Sequence, residues 1–218
     1  MSRFTLYIGN KSYSSWSMRG WLACKLAGIA FDEVVIPLDH AETAQTIRQH
    51  SPSGLVPALH DGDLVVWDSL AIGEYLAEQF PAAGLWPQER KARAVARAIS
   101  AEMHSGFTAL RQNMPMNLRR HYPGRGQTPE VLANIARIVE LWRMARGFAG
   151  NGGPFLFGAP SLADVMFAPV VTRFATYEPP LSDDAKAYGA AIAAWAPLQE
   201  WKAGAAAEPW VIAKYDLA

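Results

Sequence analysis

The first 80 residues change repeatedly between the apolar spacing of a strand and that of a helix. Phe4, Leu6 and Ile8 alternate with Thr5 and Tyr7, which predicts a strand that ends at the following glycine. The later segments are predicted in this order: a helix over 16–27, a buried strand over 31–36, a short helix over 42–50, two strands of a hairpin over 57–60 and 64–67, and a helix over 72–80. The resulting order, βαβ-α-ββα, indicates a compact α/β unit.

The rest of the chain has helical spacing almost throughout. Apolar residues recur every three or four positions over 95–114, which predicts one long amphipathic helix, and again over 131–145. Ser161 and Asp164 form a capping box, because an acid at this position accepts a hydrogen bond from the Ser161 N–H at the start of a helix. Two shorter helices are expected within 183–207. This part is therefore predicted to be all α-helical.

Pro81 interrupts the last helical pattern of the α/β unit and divides the chain. We predict an N-terminal α/β domain over 1–80, a linker over 81–88 and an all-helical C-terminal domain over 89–218. The two parts differ in charge, because residues 1–80 carry 5 basic and 9 acidic side chains whereas residues 81–218 carry 15 and 11. Net charges of −4 and +4 favour a homodimer in which unlike domains face each other.

The composition narrows the function classes. Hydrophobic residues make up 50% of the chain and charged residues 18%, which is enough for a buried core. Lys plus Arg (20) equals Asp plus Glu (20), so nucleic-acid binding is not expected. There is no 18-residue apolar run and no signal-like N-terminal stretch, so we expect a cytoplasmic protein without a membrane span. The single cysteine, Cys24, is expected to be inert core, and five histidines without ligand spacing predict no metal site.

Two short segments predict a site for a small peptide. The proline in Val56-Pro57 disfavours a helical conformation at the preceding residue, so Val56 is expected to present its N–H and C=O in an extended form. Asp68 and Ser69 stand at the start of the next helix; either can cap it, and the first N–H groups of a helix attract an anion. The simpler interpretation is a plain turn and a plain cap. Together, the two segments indicate a site for the backbone and charged ends of a small peptide.

Three motifs stand in the order and at the spacing of one protein family. They are Ser-Gly-Leu-Val-Pro-Ala-Leu at 53–59, Asp-Ser-Leu-Ala-Ile-Gly-Glu-Tyr-Leu at 68–76, and the capping box of Ser161 and Asp164. With the βαβ-α-ββα unit and the helical second part, they resemble the cytosolic glutathione transferases over essentially the whole chain. The zeta class, or a related bacterial class, is similar in its strand-loop-helix segment, which here contains Leu6-Tyr7, Ser14-Ser15-Trp16-Ser17 and Arg19.

The resemblance implies a thioredoxin-like N-terminal domain that binds glutathione as co-substrate, and a helical domain that contributes the second-substrate site. It implies that Pro57 is cis and that the Val56 backbone pairs with the cysteinyl part of glutathione. Asp68 and Ser69 would hold the γ-glutamyl end, with Asp68 facing the ammonium. His40 is a further candidate, for the glycyl carboxylate.

The loop before the first helix is the expected place of the chemistry. The family needs a thiolate, whereas a free thiol has a pKa of about 8.5, which a hydroxyl donor and a helix N-terminus directed at the sulfur would lower. Ser14 stands where the zeta-like motif places its catalytic serine, and Ser15 and Ser17 are close enough to take the role. Without the resemblance these serines would be interpreted as helix N-caps. Trp16 replaces a cysteine of the zeta pattern, which argues against zeta-type isomerase activity.

The second substrate is expected between the domains. His104, Phe107 and Arg111 are its candidate contacts, although Phe107 is also explained as packing, and Arg173 is interpreted as a surface arginine. The predicted function is a glutathione transferase that conjugates or transforms a small electrophile through a serine-stabilised thiolate. Two alternatives stay open. One is a glutathione-dependent isomerase of the maleylacetoacetate isomerase type, and the other is a non-catalytic module that binds glutathione, another ligand or a partner.

Overall fold

A computed structural model describes residues 3–150 and 152–216. In these residues the strands are β1 (Phe4–Ile8), β2 (Phe31–Val35), β3 (Ala58–Asp61) and β4 (Leu64–Trp67). The helices are α1 (Ser15–Leu26), α2 (Thr43–His50), α3 (Ser69–Gln79), α4 (Arg90–Ser105), α5 (Thr108–Asn113), α6 (Pro129–Arg146), α7 (Leu162–Tyr177), α8 (Asp183–Ala194) and α9 (Ala196–Ala207). The predicted order βαβ-α-ββα and the predicted fold class, a thioredoxin-like unit followed by a helical part, are confirmed.

The strands form one mixed sheet in the order β2-β1-β3-β4. β1 pairs in parallel with β2 and antiparallel with β3, and β3 pairs antiparallel with β4. The prediction that the second strand is buried is wrong, because β2 lies at an edge of the sheet and the middle of the strand is exposed. The segment contains the exposed acidic residues Asp32 and Glu33, and its β-rich composition does not reveal whether the strand has one neighbour or two.

Helix α1 lies between the sheet and the helical part. It packs against α3 in the α/β unit and against α7 and α9 in the helical part. Gly20 in α1 permits the close approach of the turn before β3, since a Cβ at this position would lie 2.8 Å from Pro57 Cγ. Cys24 is fully buried, as predicted, and burial raises the pKa of its thiol. The start of α1 is therefore fixed beside the Val56-Pro57 turn.

The single helix predicted over 95–114 is wrong, because the chain breaks it in two. α4 ends at Ser105, and Phe107 has a left-handed conformation with a φ of 61° before α5 begins. A Cβ on Gly106 would lie 2.8 Å from a carbonyl oxygen of the preceding turn, so the bend requires glycine. The guanidinium of Arg111 donates to three carbonyls at the end of α4, which stabilises the break.

The capping box at the start of α7 is confirmed. Asp164 accepts hydrogen bonds from the N–H and hydroxyl of Ser161, from the Leu156 N–H and from the Tyr188 hydroxyl. Burial raises the pKa of Asp164 to about 6. α7 is buried along almost all of its length and forms the centre of the helical part. Neither α7 nor any other helix in the described residues is long and apolar enough to cross a membrane.

Candidate functional site

A cavity of about 490 Å³ lies where α4 meets the α/β unit. The loop before β3, the end of β4 and the first turns of α1 and α3 form most of its wall, and the last turn of α4 closes it. The residues that line it include Trp16, Val56, Pro57, Asp68, Ser69 and His104. The fold therefore brings together five predicted site residues, which are Val56, Pro57, Asp68, Ser69 and His104, and places Trp16 beside them.

The turn before β3 has the expected backbone conformation. The Val56–Pro57 peptide bond is cis, as predicted. Pro57 is buried, and Ala58 directly after it pairs with Tyr7 of β1. Val56 is half-buried at the cavity wall. The sheet thus holds the backbone of Val56 in place at the cavity.

Asp68 and Ser69 begin α3. Asp68 Oδ1 accepts hydrogen bonds from the N–H groups of Leu70 (2.8 Å) and Ala71 (3.3 Å), so Asp68 is the N-cap. Ser69 is buried, and its hydroxyl has no hydrogen-bond partner within the described part of the chain. Buried hydroxyls normally have a partner, so a free one at a cavity wall marks a place for a ligand oxygen.

His104 connects the helical part to this helix start. Its Nε2 lies 3.0 Å from Asp68 Oδ2, and its ring meets the Trp16 ring edge-on with 5.1 Å between centroids. Burial lowers the pKa of His104, which favours the neutral imidazole at neutral pH. A neutral ring that donates from Nε2 to a carboxylate keeps an acceptor at Nδ1. Nδ1 is buried and has no partner among the described residues.

The three serines of the loop are buried and bonded within the protein. Ser14 is the N-cap of α1, accepts a hydrogen bond from the Ser17 N–H and donates its hydroxyl to Ser17 Oγ over 2.8 Å. Ser17 Oγ also accepts the Gly9 N–H. Ser15 Oγ accepts from Arg173 Nη2 over 3.3 Å. The neighbouring Trp16, rather than a serine, is the residue of this loop that forms part of the cavity wall.

Family models match both parts of this chain. Residues 13–79 match the model described as glutathione S-transferase, N-terminal domain, and residues 88–201 match the one described as glutathione S-transferase, C-terminal domain. The chain belongs to the glutathione S-transferase family. The predicted family and the predicted class of enzyme are confirmed.

Several relatives of this glutathione S-transferase are similar over most of their length. It is 31% identical to maleylacetoacetate isomerase of Rattus norvegicus over 184 residues, which is 81% of each chain. It is 37% identical to glutathione S-transferase 1 of Dianthus caryophyllus over 174 residues, 78% of this chain and 76% of the relative. A solved theta class glutathione S-transferase from Xanthomonas axonopodis pv. citri, with glutathione bound, shares the fold with 24% identity and a TM-score of 0.66, and the match covers 92% of this chain and 97% of that one.

Not all predicted site residues of this glutathione S-transferase meet at the cavity. His40 is exposed and lies in a separate cavity of about 310 Å³ beside Trp210, so its contact with a glycyl carboxylate stays a prediction. Phe107 is buried and does not line the larger cavity. Arg111 lies behind Trp16, with its Cζ 4.6 Å from the ring centroid. Of the three predicted substrate contacts, His104 alone lines the cavity.

Two features of the site were not predicted from the sequence. The first is the pair of Asp68 and His104, which no local pattern signals. The second is Arg173: its assignment to the surface is wrong, because the side chain is 4% exposed and donates to Met114 O, Pro169 O and Ser15 Oγ. Arg173 is buried because almost all of α7 is buried. The unusually apolar sequence of α7 indicates this burial. Among the described residues, no group of His, Cys, Asp or Glu side chains is arranged to hold a metal ion.

Proposed function

We propose that this glutathione S-transferase binds glutathione in the 490 Å³ cavity and uses its sulfur, as a thiolate, to attack a small electrophile. Ser69 carries the proposal, because its buried hydroxyl has no partner in the described chain and lies in the same cavity as Val56. Such a hydroxyl costs free energy unless a ligand supplies the partner. The names of the relatives and the glutathione-bound structure of the same fold support glutathione as that ligand.

The peptide part of glutathione would follow the turn before β3. The N–H and C=O of Val56 would pair with the cysteinyl backbone, as one strand pairs with another. Gly20 supports this role, because it lets α1 pack directly on Pro57 and so brings the start of α1 close to the cysteinyl position.

The γ-glutamyl end would lie at the start of α3. Ser69 would donate its hydroxyl to the carboxylate, where the helix N-terminus also favours a negative charge. Asp68 already has partners for both oxygens, so it would act on the ammonium by its charge. His104 Nδ1, buried and without a partner in the described residues, would be the acceptor of an ammonium N–H. Asp68 would then fix the ring that receives the ligand.

The thiolate would lie at the start of α1. Ser14 is the first candidate to donate a hydrogen bond to the sulfur, with Ser15 and Ser17 as the alternatives. Ser14 would have to turn its hydroxyl from Ser17 towards the sulfur, a rotation about one bond. In the reaction, the sulfur electron pair would form a bond to an electrophilic carbon while the leaving group departs with the electrons of its own bond.

The second substrate would bind next to Trp16 and His104 at the opening towards the helical part, with Phe107 and Arg111 behind them. A glutathione-dependent isomerase is the second candidate function, because the Rattus norvegicus relative is a maleylacetoacetate isomerase. Trp16, which replaces the cysteine of the zeta pattern, favours transfer over isomerisation. A non-catalytic module that binds glutathione, another ligand or a partner is the third candidate function.

We also propose a cytoplasmic homodimer. The opposite charges of the two parts favour a contact between unlike domains. The edge strand β4 supports it, because Leu64 and Trp67 are 49% and 44% exposed on that side of the α/β unit.

The test measures glutathione binding by calorimetry, then conjugation to a halogenated dinitrobenzene and isomerisation of a maleyl compound. We expect binding and conjugation. We also expect Ser14→Ala to raise the pKa of the bound thiol and to lower kcat at neutral pH, with little change in Kd.

Each outcome separates the candidates. Isomerisation without conjugation would favour the isomerase, and binding without either reaction would favour the binding module. A pH–rate profile unchanged by Ser14→Ala would exclude Ser14 as the activator and transfer the test to Ser15 and Ser17. A wild-type protein that does not bind glutathione would contradict the proposal as a whole.

A further inference from the structure

Three arginines from three helices meet behind the loop of serines. The buried arginine cluster consists of Arg19 in α1, Arg111 in α5 and Arg173 in α7. Arg19 is fully buried, Arg173 is 4% exposed and Arg111 is half-buried. Arginine is rarely buried in proteins unless it is paired with an acid. A cluster of three is therefore a feature that requires an explanation.

No acid neutralises this cluster by a salt bridge in the described residues. Arg19 Nε donates to the Met166 carbonyl, while Nη1 and Nη2 are buried without a partner in the described chain. Arg111 donates to carbonyls at the end of α4, and its Nη1 is likewise unpartnered there. Arg173 is held by carbonyls and by Ser15 Oγ. Neutral carbonyls orient the guanidinium groups and leave their positive charge in place.

The cluster surrounds the first turn of α1. The Cζ atoms of Arg19 and Arg111 lie 4.7 and 4.6 Å from the centroid of the Trp16 ring, and Trp16 lines the cavity. Arg173 Nη2 contacts Ser15 Oγ over 3.3 Å. The positive charges are thus within one or two side chains of the position where glutathione chemistry would occur.

The three guanidinium groups also act on each other. Burial, together with the charge of Arg111, lowers the pKa of Arg173 to about 9. Burial lowers the pKa of Arg19 as well, as do Arg111 and Arg173, whereas the charge of Asp68 raises it. Other titratable groups near the cluster are His104, which Arg19 and Arg111 affect, and Tyr177 and Tyr215, which face Arg173. An added negative charge at this place would relieve the mutual repulsion.

We propose that Arg19, Arg111 and Arg173 together stabilise the glutathione thiolate by their electrostatic field, an inference that rests on the proposed function. In the step that they favour, the S–H bond breaks, the proton passes to water, and the electron pair stays on the sulfur. The field acts through the weakly polarisable interior around Trp16, where water screens charges little. A serine hydroxyl then orients the sulfur by a hydrogen bond, while the arginines supply most of the positive charge that keeps the sulfur ionised.

The hydrogen bonds of the loop support this division of roles. Ser14 donates its hydroxyl to Ser17, and Ser17 accepts a second hydrogen bond from the Gly9 N–H, so the hydroxyls first serve the structure of the loop. One neutral hydroxyl is a weaker source of thiolate stabilisation than nearby positive charges. The proposed role also explains why Arg19 is fully buried without an ion pair to any acid in the described residues.

The experiment titrates the thiolate absorbance of protein-bound glutathione in pairs of variants. Arg111→Gln and Arg173→Gln remove a positive charge, whereas Arg111→Lys and Arg173→Lys keep it and change the hydrogen bonds. We expect each Gln variant to raise the thiol pKa by about one unit and each Lys variant to stay near the wild-type value. At neutral pH kcat would fall in the Gln variants and recover at high pH, with the KM for glutathione little changed.

Arg143→Gln is the matched control, because Arg143 forms a surface ion pair with Asp184 on α8 and the substitution removes the same charge. Equal effects of Gln and Lys would assign the arginines a purely structural role and overturn the proposal. So would an unchanged thiol pKa with a raised KM for a carboxylate-bearing electrophile alone, since the cluster would then bind the second substrate. If wild-type protein binds glutathione with an unshifted thiol pKa, this inference fails and the binding proposal stands; without binding, both fail.

Discussion

Two buried serines allow the role of a hydroxyl in binding to be separated from its role in folding. Ser69 and Ser100 are both buried, and neither hydroxyl has a partner in the described chain. Ser69 begins α3 at the cavity, whereas Ser100 lies within α4 and does not line it. Only Ser69 should therefore acquire a partner when glutathione binds.

We predict that Ser69→Ala weakens glutathione binding about tenfold, because a hydrogen bond to a carboxylate contributes about 1.5 kcal/mol. The free energy of unfolding of the free protein should change little, since the hydroxyl has no partner to lose in the described part of the chain. Calorimetric titration and urea denaturation measure the two quantities. Ser100→Ala is the control and should leave the glutathione Kd unchanged. Equal Kd values for Ser69→Ala and wild type would mean that Ser69 is only part of a helix start.

The sequence could predict the residues of the site better than their partners. Asp68 and Ser69 are predictable because an acid and a serine before a helical pattern form a cap, a local rule. The contact of Asp68 with His104, and of Ser15 with Arg173, depends on how α4 and α7 pack on the α/β unit. No spacing in the chain encodes these contacts. The burial of Arg173 differs, because the apolar sequence of α7 indicates it even though the partners of the side chain cannot be predicted.

At the scale of elements, the packing of α1 on the turn before β3 fixes the site. We predict that Gly20→Ala weakens glutathione binding and destabilises the protein by about 1–3 kcal/mol, because the new Cβ would lie 2.8 Å from Pro57 Cγ and displace the turn. Calorimetry and denaturation measure both effects.

Gly189→Ala in α8 is the matched control, since its Cβ would meet only Val171, at 3.9 Å. It should stabilise the protein by about 1 kcal/mol through helix propensity and leave glutathione binding unchanged. If Gly20→Ala binds glutathione as well as the Gly189→Ala variant, the turn does not depend on this contact.

The start of α7 should make stability depend on pH. The pKa of Asp164 is raised by burial from 3.8 to about 6, so between these pH values the folded protein holds a proton that the unfolded chain releases. The contribution of Asp164 to the free energy of unfolding should therefore fall by about 2 kcal/mol as pH rises from 4 to 6. The difference between wild type and Asp164→Asn in denaturant titrations isolates it. A difference that rises with pH, or stays constant, would contradict the pKa direction.

Elements with local signals were predicted well, and those set by packing were not. The capping box of α7 and the hairpin of β3 and β4 follow from short motifs, and the structure has both. In the sequence, the only sign of the break between α4 and α5 is Gly106 within an otherwise helical pattern. A single glycine does not require a helix to end, so the break could not be predicted from it. The edge position of β2 depends on the order of strands in the sheet, which no local pattern contains.

At the scale of the whole molecule, the separation of charge has a consequence for assembly. We predict a homodimer that weakens as salt increases, because the charges of −4 and +4 on the two parts attract across the interface and salt screens them. Sedimentation equilibrium at low and high ionic strength measures this. A monomer at low ionic strength would count against the dimer, and a dimer insensitive to salt would assign the contact to apolar surface instead.

The class of fold and the family were predictable because they rest on the order of elements and on three spaced motifs. The domain boundaries at residues 80 and 88 stay a prediction. The shape of the cavity was not predictable, since it results from the meeting of α4 with the starts of α1 and α3. The identity of the electrophile could not be predicted either, because the second-substrate side of the cavity is built from the faces of separate helices rather than from a motif.

A crystal structure of this glutathione S-transferase with glutathione bound tests the central claim most directly. We expect the tripeptide in the 490 Å³ cavity, with its cysteinyl backbone on Val56 and its γ-glutamyl carboxylate within hydrogen-bond distance of Ser69 Oγ. The sulfur should lie at the start of α1. Glutathione bound elsewhere, for example beside His40 and Trp210, or a cavity that stays empty at saturating glutathione, would contradict it.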